Sequence, residues 1–154
     1  MTFRITGLDP EPFLDLASLS DERLAERGVV RRVSDGTGFP CRVSLEDVAA
    51  GERVLLLNYE HQPAPTPFRS SHAIYVREGE RRRFDRVDDV PALLRSRLLS
   101  IRAFDSAHML VDADVVEGEA AAEAIERFFA TPDTDYLHVH YARPGCFAAR
   151  VDRA

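Results

Sequence analysis

Residues 136–151 read "YLHVHYARPGCFAARV". Apolar and polar side chains alternate on either side of an Arg-Pro-Gly turn, which predicts an antiparallel hairpin closing the chain. Strand alternation puts Tyr136, His138, His140 and Ala142 on one face, and Leu137, Val139 and Tyr141 on the other. With Arg143-Pro144-Gly145 as the turn and Ala142 opposite Cys146, the second strand sorts the same way. Cys146, Ala148 and Arg150 then join the histidine face, while Phe147, Ala149 and Val151 complete the aliphatic one. That register depends on the turn, because a shift of one residue moves every side chain to the other face.

Working backward from the hairpin, "EGEAAAEAIERFFA" (117–130) is the strongest helix signal, with Ala121, Ile125, Phe128 and Phe129 in one apolar stripe and Thr131-Pro132 ending it. "SIRAF" and "HMLVDADVV" read as two strands joined around Asp105-Ser106, and Pro91 starts a short helix through Leu94 and Leu98. "HAIYVRE" (72–78) alternates like a strand. "RVLLLNY" (53–59) is apolar without alternation, which predicts a central strand with Leu55, Leu56 and Leu57 all buried. Ser44 and Asp47 suggest a capping box, and "VVRRV" (29–33) another strand. Ser20, Asp21 and Glu22 open a helix that Gly28 stops, and "FRITGL" (3–8) is a first strand. Short connections between strands, with helices interspersed, predict an α+β fold built on a mostly antiparallel sheet and organised as a single domain over residues 1–154.

Composition narrows the function. The chain has 154 residues, 45% hydrophobic and 30% charged, in the range of a globular domain. A formal charge of −6 argues against a general nucleic-acid binder. No apolar run reaches bilayer length, and "MTFRITGLDPEPF" lacks a signal-peptide core, so a cytoplasmic protein without a membrane partner is expected. All 20 basic residues are arginine, which excludes a lysine Schiff base and a P-loop lysine. Cys41 and Cys146 are too few for a disulfide framework.

Three sites are expected from residue chemistry. His138 and His140, one residue apart on a strand, form a pair able to converge on zinc or iron. His72, His61 or Glu60 could be a third ligand, and the glutamate that follows the second histidine in cupins is missing. Cys146 beside His140 would be a nucleophile whose thiolate the imidazole and Arg150 favour. The long connection "NYEHQPAPTPFRSSH" (58–72) gathers Asn58, Tyr59, His61, Arg69, Ser70, Ser71 and His72, donors suited to a small anionic molecule. Each has a structural alternative: histidines satisfied by hydrogen bonds, a buried cysteine, a proline-stiffened surface loop. His108 reads as structural.

The phrases "GFPCRVSLEDVAAGERVLLLNYEHQ", "SSHAIYVRE" and "LHVHYARPGCFAARVDR" together resemble the bacterial domain of unknown function 1203 family over nearly the whole chain. The resemblance implies one soluble domain and transfers no activity, cofactor or catalytic residue. Small-molecule binding in a His/Arg/Ser-lined pocket is therefore the first functional expectation. An enzyme using the metal or the thiol, and a protein-interaction domain, are the alternatives.

Overall fold

The computed structural model describes residues 2–154 and contains two antiparallel sheets. The larger has six strands: β1 (Phe3–Thr6), β5 (Asp85–Val87), β6 (Leu98–Phe104), β7 (Leu110–Glu117), β8 (Tyr136–Tyr141) and β9 (Phe147–Arg153). Their order is β5-β1-β9-β8-β6-β7. The smaller consists of β2 (Val30–Val33), β3 (Arg53–Gln62) and β4 (Ser70–Arg77), with β3 in the middle. Helices α1 (Glu11–Leu14), α2 (Asp21–Glu26), α3 (Ala92–Arg95) and α4 (Ala121–Phe129) are interspersed, so the expected α+β class with a C-terminal hairpin is what the chain adopts. None of the described helices is long and apolar enough to cross a membrane.

Local chemistry accounts for the helix ends. Ser20 caps α2 by accepting from the Arg23 N–H, with Asp21 and Glu22 in the first turn beside the positive end of the helix. α4 buries Ala121, Ala124, Ile125, Phe128 and Phe129. It enters through a turn at Gly118, where a Cβ would overlap the Leu94 and Arg95 carbonyl oxygens, so α3 and α4 pack closely only around a glycine. The expected capping box at Ser44 does not form. The chain there is a turn with Leu45 at φ 52°, and Asp47 instead pairs with Arg97.

Two cores result. One face of the large sheet supplies Ile5, Leu99, Ile101, Leu137, Val139 and Val151 to a core closed by α3 and α4. The second core gathers Phe13, Leu16 and Leu24 with Val54, Leu55, Leu57, Ile74 and Val76 of the small sheet. Leu55 and Leu57 are buried as expected, whereas Leu56 is half-buried and lines a cavity. Every side chain of β8 is buried. Its odd-numbered residues face the helices; its even-numbered residues meet β3 and β4 of the other sheet, through His61 and His72. The segment 39–45 laces the sheets together: Arg42 N donates to Tyr75 O, and the Arg42 Nε to Phe147 O.

Leu55→Ala should destabilise the protein by about 2–5 kcal/mol, the range for truncating a fully packed leucine, and Leu56→Ala by clearly less. Urea denaturation checks the order. Equal losses would contradict the placement of Leu56 at the cavity.

Candidate functional site

The site begins with two irregularities in strand pairing. In the β8–β9 hairpin the register runs Leu137 opposite Val151, His138 opposite Arg150 and Val139 opposite Ala149, as the alternation predicts. A bulge then makes Phe147 the partner of His140. One extra residue in a strand reverses the facing of those beyond it. Phe147 therefore sits on the histidine face, not the aliphatic one, and stacks on His61 with ring centroids 5.0 Å apart and planes 5° from parallel. Ala148 joins the helix-side core. Ala142 does not pair with Cys146; its N–H donates to Leu98 O.

The same bulge decides the fate of Cys146. Cys146 packs against the helix-side core, and its Sγ accepts from the Arg42 Nη2 at 3.0 Å. Among the described residues no hydrogen bond joins it to His140. The expected shared face of thiol and imidazoles is corrected on this point: the register shift moves the cysteine to the Tyr141 side. There it lines a cavity of about 910 Å³ with Arg42, Arg97, Tyr141 and His72.

The second bulge lies in the β3–β4 pair between Tyr59 and Gln62. It leaves His61 and Gln62 buried in succession, where plain alternation would expose one of them. The connection is shorter than the sequence suggests, because β3 runs to Gln62 and β4 starts at Ser70. Asn58 and Tyr59 are therefore ladder residues, paired with Ala73 and His72. Asn58 is exposed, and Tyr59 packs toward Phe13 in the second core. Arg69 is exposed and bound to Glu60. Ser71 is exposed, while Ser70 Oγ donates to Phe68 O and lies 3.3 Å from His61 Nε2. Of the seven donors expected to form an anion pocket, only His61, Ser70 and His72 come together at the histidine face.

What assembles is a histidine cluster between the sheets. One ring nitrogen from each of His61, His138 and His140 lies within 4.8 Å of the other two, and all three residues are buried. His140 Nδ1 is 2.9 Å from Gly145 O. A carbonyl only accepts, so Nδ1 carries the proton and Nε2 keeps its lone pair in the neutral ring. Gly145 supplies that carbonyl from a φ of 80°, a conformation that suits glycine. His61 Nε2 is 2.8 Å from His72 Nδ1. A proton on that Nε2 leaves His61 Nδ1 as a free lone pair. His61 Nδ1, His138 Nδ1 and His140 Nε2 are all buried without a hydrogen-bond partner among the described residues. Most buried polar atoms find one, so three such nitrogens in one cluster call for a ligand.

Burial keeps these rings neutral. Desolvation lowers His61 to about 4 and His140 to about 3, and lowers His138 further still. Nearby positive groups push the same way: Arg102 disfavours the charged form of all four histidines, His72 included. Arg102 was not legible as a site residue. It stands on β6 directly opposite His138, as Ser100 stands opposite His140. Directly paired antiparallel residues share a face, so strand order places both beside the cluster. His108, by contrast, is 2.8 Å from the Tyr136 hydroxyl, which also accepts from Gln62 Nε2.

The sequence profile described as "Protein of unknown function (DUF1203)" matches residues 38–153, and the chain belongs to that family. His61, His72, Arg102, His138 and His140 all fall inside the matched stretch. No curated protein and no solved structure matches the chain.

The metal-free protein should lose stability in mild acid. Each clustered histidine stays neutral in the fold but takes up a proton in the unfolded chain below its ordinary value of 6.5. The unfolded state then binds more protons, so stability present at pH 7 falls as pH drops below 6.5. The loss reaches up to about 1.4 kcal/mol per pH unit per histidine and continues down to the depressed folded values. Urea midpoints at pH 7 and pH 5, in chelator, measure it. An unchanged midpoint would contradict the neutral cluster.

Proposed function

We propose that the protein is a metal-dependent small-molecule domain in which His61, His138 and His140 hold one divalent transition ion. The observation that carries this reading is the convergence of three buried imidazoles whose lone-pair nitrogens have no hydrogen-bond partner. Neutral nitrogen donors suit zinc first and iron second. In a tetrahedral zinc site with Zn–N bonds of about 2.0–2.1 Å, the nitrogens stand about 3.4 Å apart. Modest ring rotations reach that from the spacing here. The Gly145 carbonyl on His140 and His72 on His61 are the outer partners that orient ligand rings and set their tautomers.

Three protein ligands leave a fourth position open, whereas structural zinc sites are usually closed by four. An ion held this way polarises an oxygen ligand at the open position, so hydrolysis or hydration of a small molecule is the reaction class to test first. The thiol alternative has less support: among the described residues Cys146 has no hydrogen bond to an imidazole, its Sγ being held by Arg42, and the one histidine on its cavity is His72. An interaction domain has less still. The exposed large apolar residues Val30, Val33, Val87, Val111 and Val115, with Met109 just before β7, are spread over three edge strands, β2, β5 and β7. A reducing cytoplasm suits the chain, whose Cys41 and Cys146 are both free thiols.

Chelator-stripped protein should bind one zinc or cobalt ion per chain, and cobalt should give a visible spectrum of nitrogen and oxygen ligation without thiolate bands. At a hundredfold excess over Kd the ion should stabilise the fold by about 2.7 kcal/mol. His138→Leu should abolish that gain and also raise the melting temperature of the metal-free form, because it removes a buried nitrogen without a partner. A wild type that takes up no ion, or a His138→Leu variant that binds as well as wild type, would overturn the reading.

A further inference from the structure

Arg102 identifies the ligand of the metal position. Its guanidinium is half-buried, yet among the described residues it makes no hydrogen bond and no ion pair. That is unusual in a chain whose other inward-turned arginines are engaged. Arg31 pairs with Glu78 and Asp21, Arg77 with Glu52 and Glu80, and the buried Arg42 donates to two carbonyls and a sulfur. A partly desolvated cation without a counter-charge is unfavourable and marks a place where an anion belongs.

The surroundings sharpen the point. Apart from burial and the Gly145 carbonyl on His140, the groups that perturb the four histidines are arginines and other histidines, with no carboxylate among them, and Arg102 is perturbed by burial alone. Arg150, which also faces His138, is already paired with Asp152. A divalent ion on three neutral imidazoles beside Arg102 would give the pocket a net charge of about +3, with no carboxylate hydrogen-bonded or ion-paired to Arg102 among the described residues to offset it. Arg102 stands one strand in from the edge of the large sheet. Across β6 its ladder partner is Ala113 of the edge strand β7, exposed like the neighbouring Val111 and Val115. Ser100, opposite His140, adds a hydroxyl to the same wall.

We infer that the metal position takes an oxyanion, a carboxylate or phosphate group bound with one oxygen toward the ion and another on the Arg102 guanidinium. This rests on the metal reading above. The guanidinium offers that second oxygen N–H donors fixed in one plane, which a lysine ammonium does not reproduce. It also moves the anion pocket from Arg69, which Glu60 occupies, to an arginine on a different strand.

The test uses cobalt-loaded full-length protein titrated separately with acetate and with inorganic phosphate, following the visible cobalt spectrum. The two arms tell a carboxylate site from a phosphate site. Arg102→Gln should bind cobalt at least as tightly as wild type, because a like charge beside the ion is gone, while its anion affinity falls about tenfold or more. Arg102→Lys should recover only part of that loss. Cobalt-loaded Arg102→Gln that binds the anions within twofold of wild type overturns the role of Arg102 and leaves the metal site standing. The same holds for a cobalt-loaded wild type that responds to neither anion. A wild type that binds no cobalt overturns both.

Discussion

Because β8 is buried on both faces, the row Tyr136, His138 and His140 has no solvent to satisfy it and must find partners across the gap between the sheets. Tyr136 does, through Gln62 and His108. The two histidines do so only in part: His140 Nδ1 reaches Gly145, while His138 Nδ1 and His140 Nε2 have no hydrogen-bond partner among the described residues. An unsatisfied buried polar group destabilises a fold by about 1–3 kcal/mol. An apolar residue at position 138 would avoid that. On the metal proposal, imidazoles retained in such a place trade stability for binding, a trade expected at functional sites.

The two bulges make the cluster possible. Plain ladders would turn His61 away from its position over Phe147 and would put Phe147 in the helix-side core. With an irregularity in each, Phe147 stacks on the His61 ring at a centroid distance of 5.0 Å, and His72 meets the ring edge, its Nδ1 2.8 Å from His61 Nε2. A ring held by a stacked neighbour and an edge hydrogen bond loses little freedom when a ligand arrives, which is what preorganisation requires. Arg102 then stands beside the cluster, one strand in from the sheet edge at β7.

Much of this was legible in the residues. Alternation along "YLHVHY" placed His138 and His140 together, and the apolar run "RVLLLNY" placed a central strand with Leu55 and Leu57 inside. Periodicity could not foresee the bulges, since one added residue leaves no mark in hydrophobic patterning. Alternation alone therefore puts Cys146 on the histidine face and Phe147 on the aliphatic one, and the bulge reverses both. His61 was named as a possible third ligand but could not be chosen over His72 or Glu60, because strand length and pairing between sheets are long-range properties. Arg102 was missed for the same reason. In "SIRAF" it looks like any outward residue, and only the order β8-β6-β7 sets it opposite His138.

X-ray absorption at the zinc edge on the zinc-loaded protein tests the central claim most directly. Three imidazole nitrogens at about 2.0 Å with one further oxygen ligand is the predicted first shell. A scatterer at about 2.3 Å, the distance of a zinc–thiolate bond, or fewer than three imidazoles, would contradict a centre built from His61, His138 and His140.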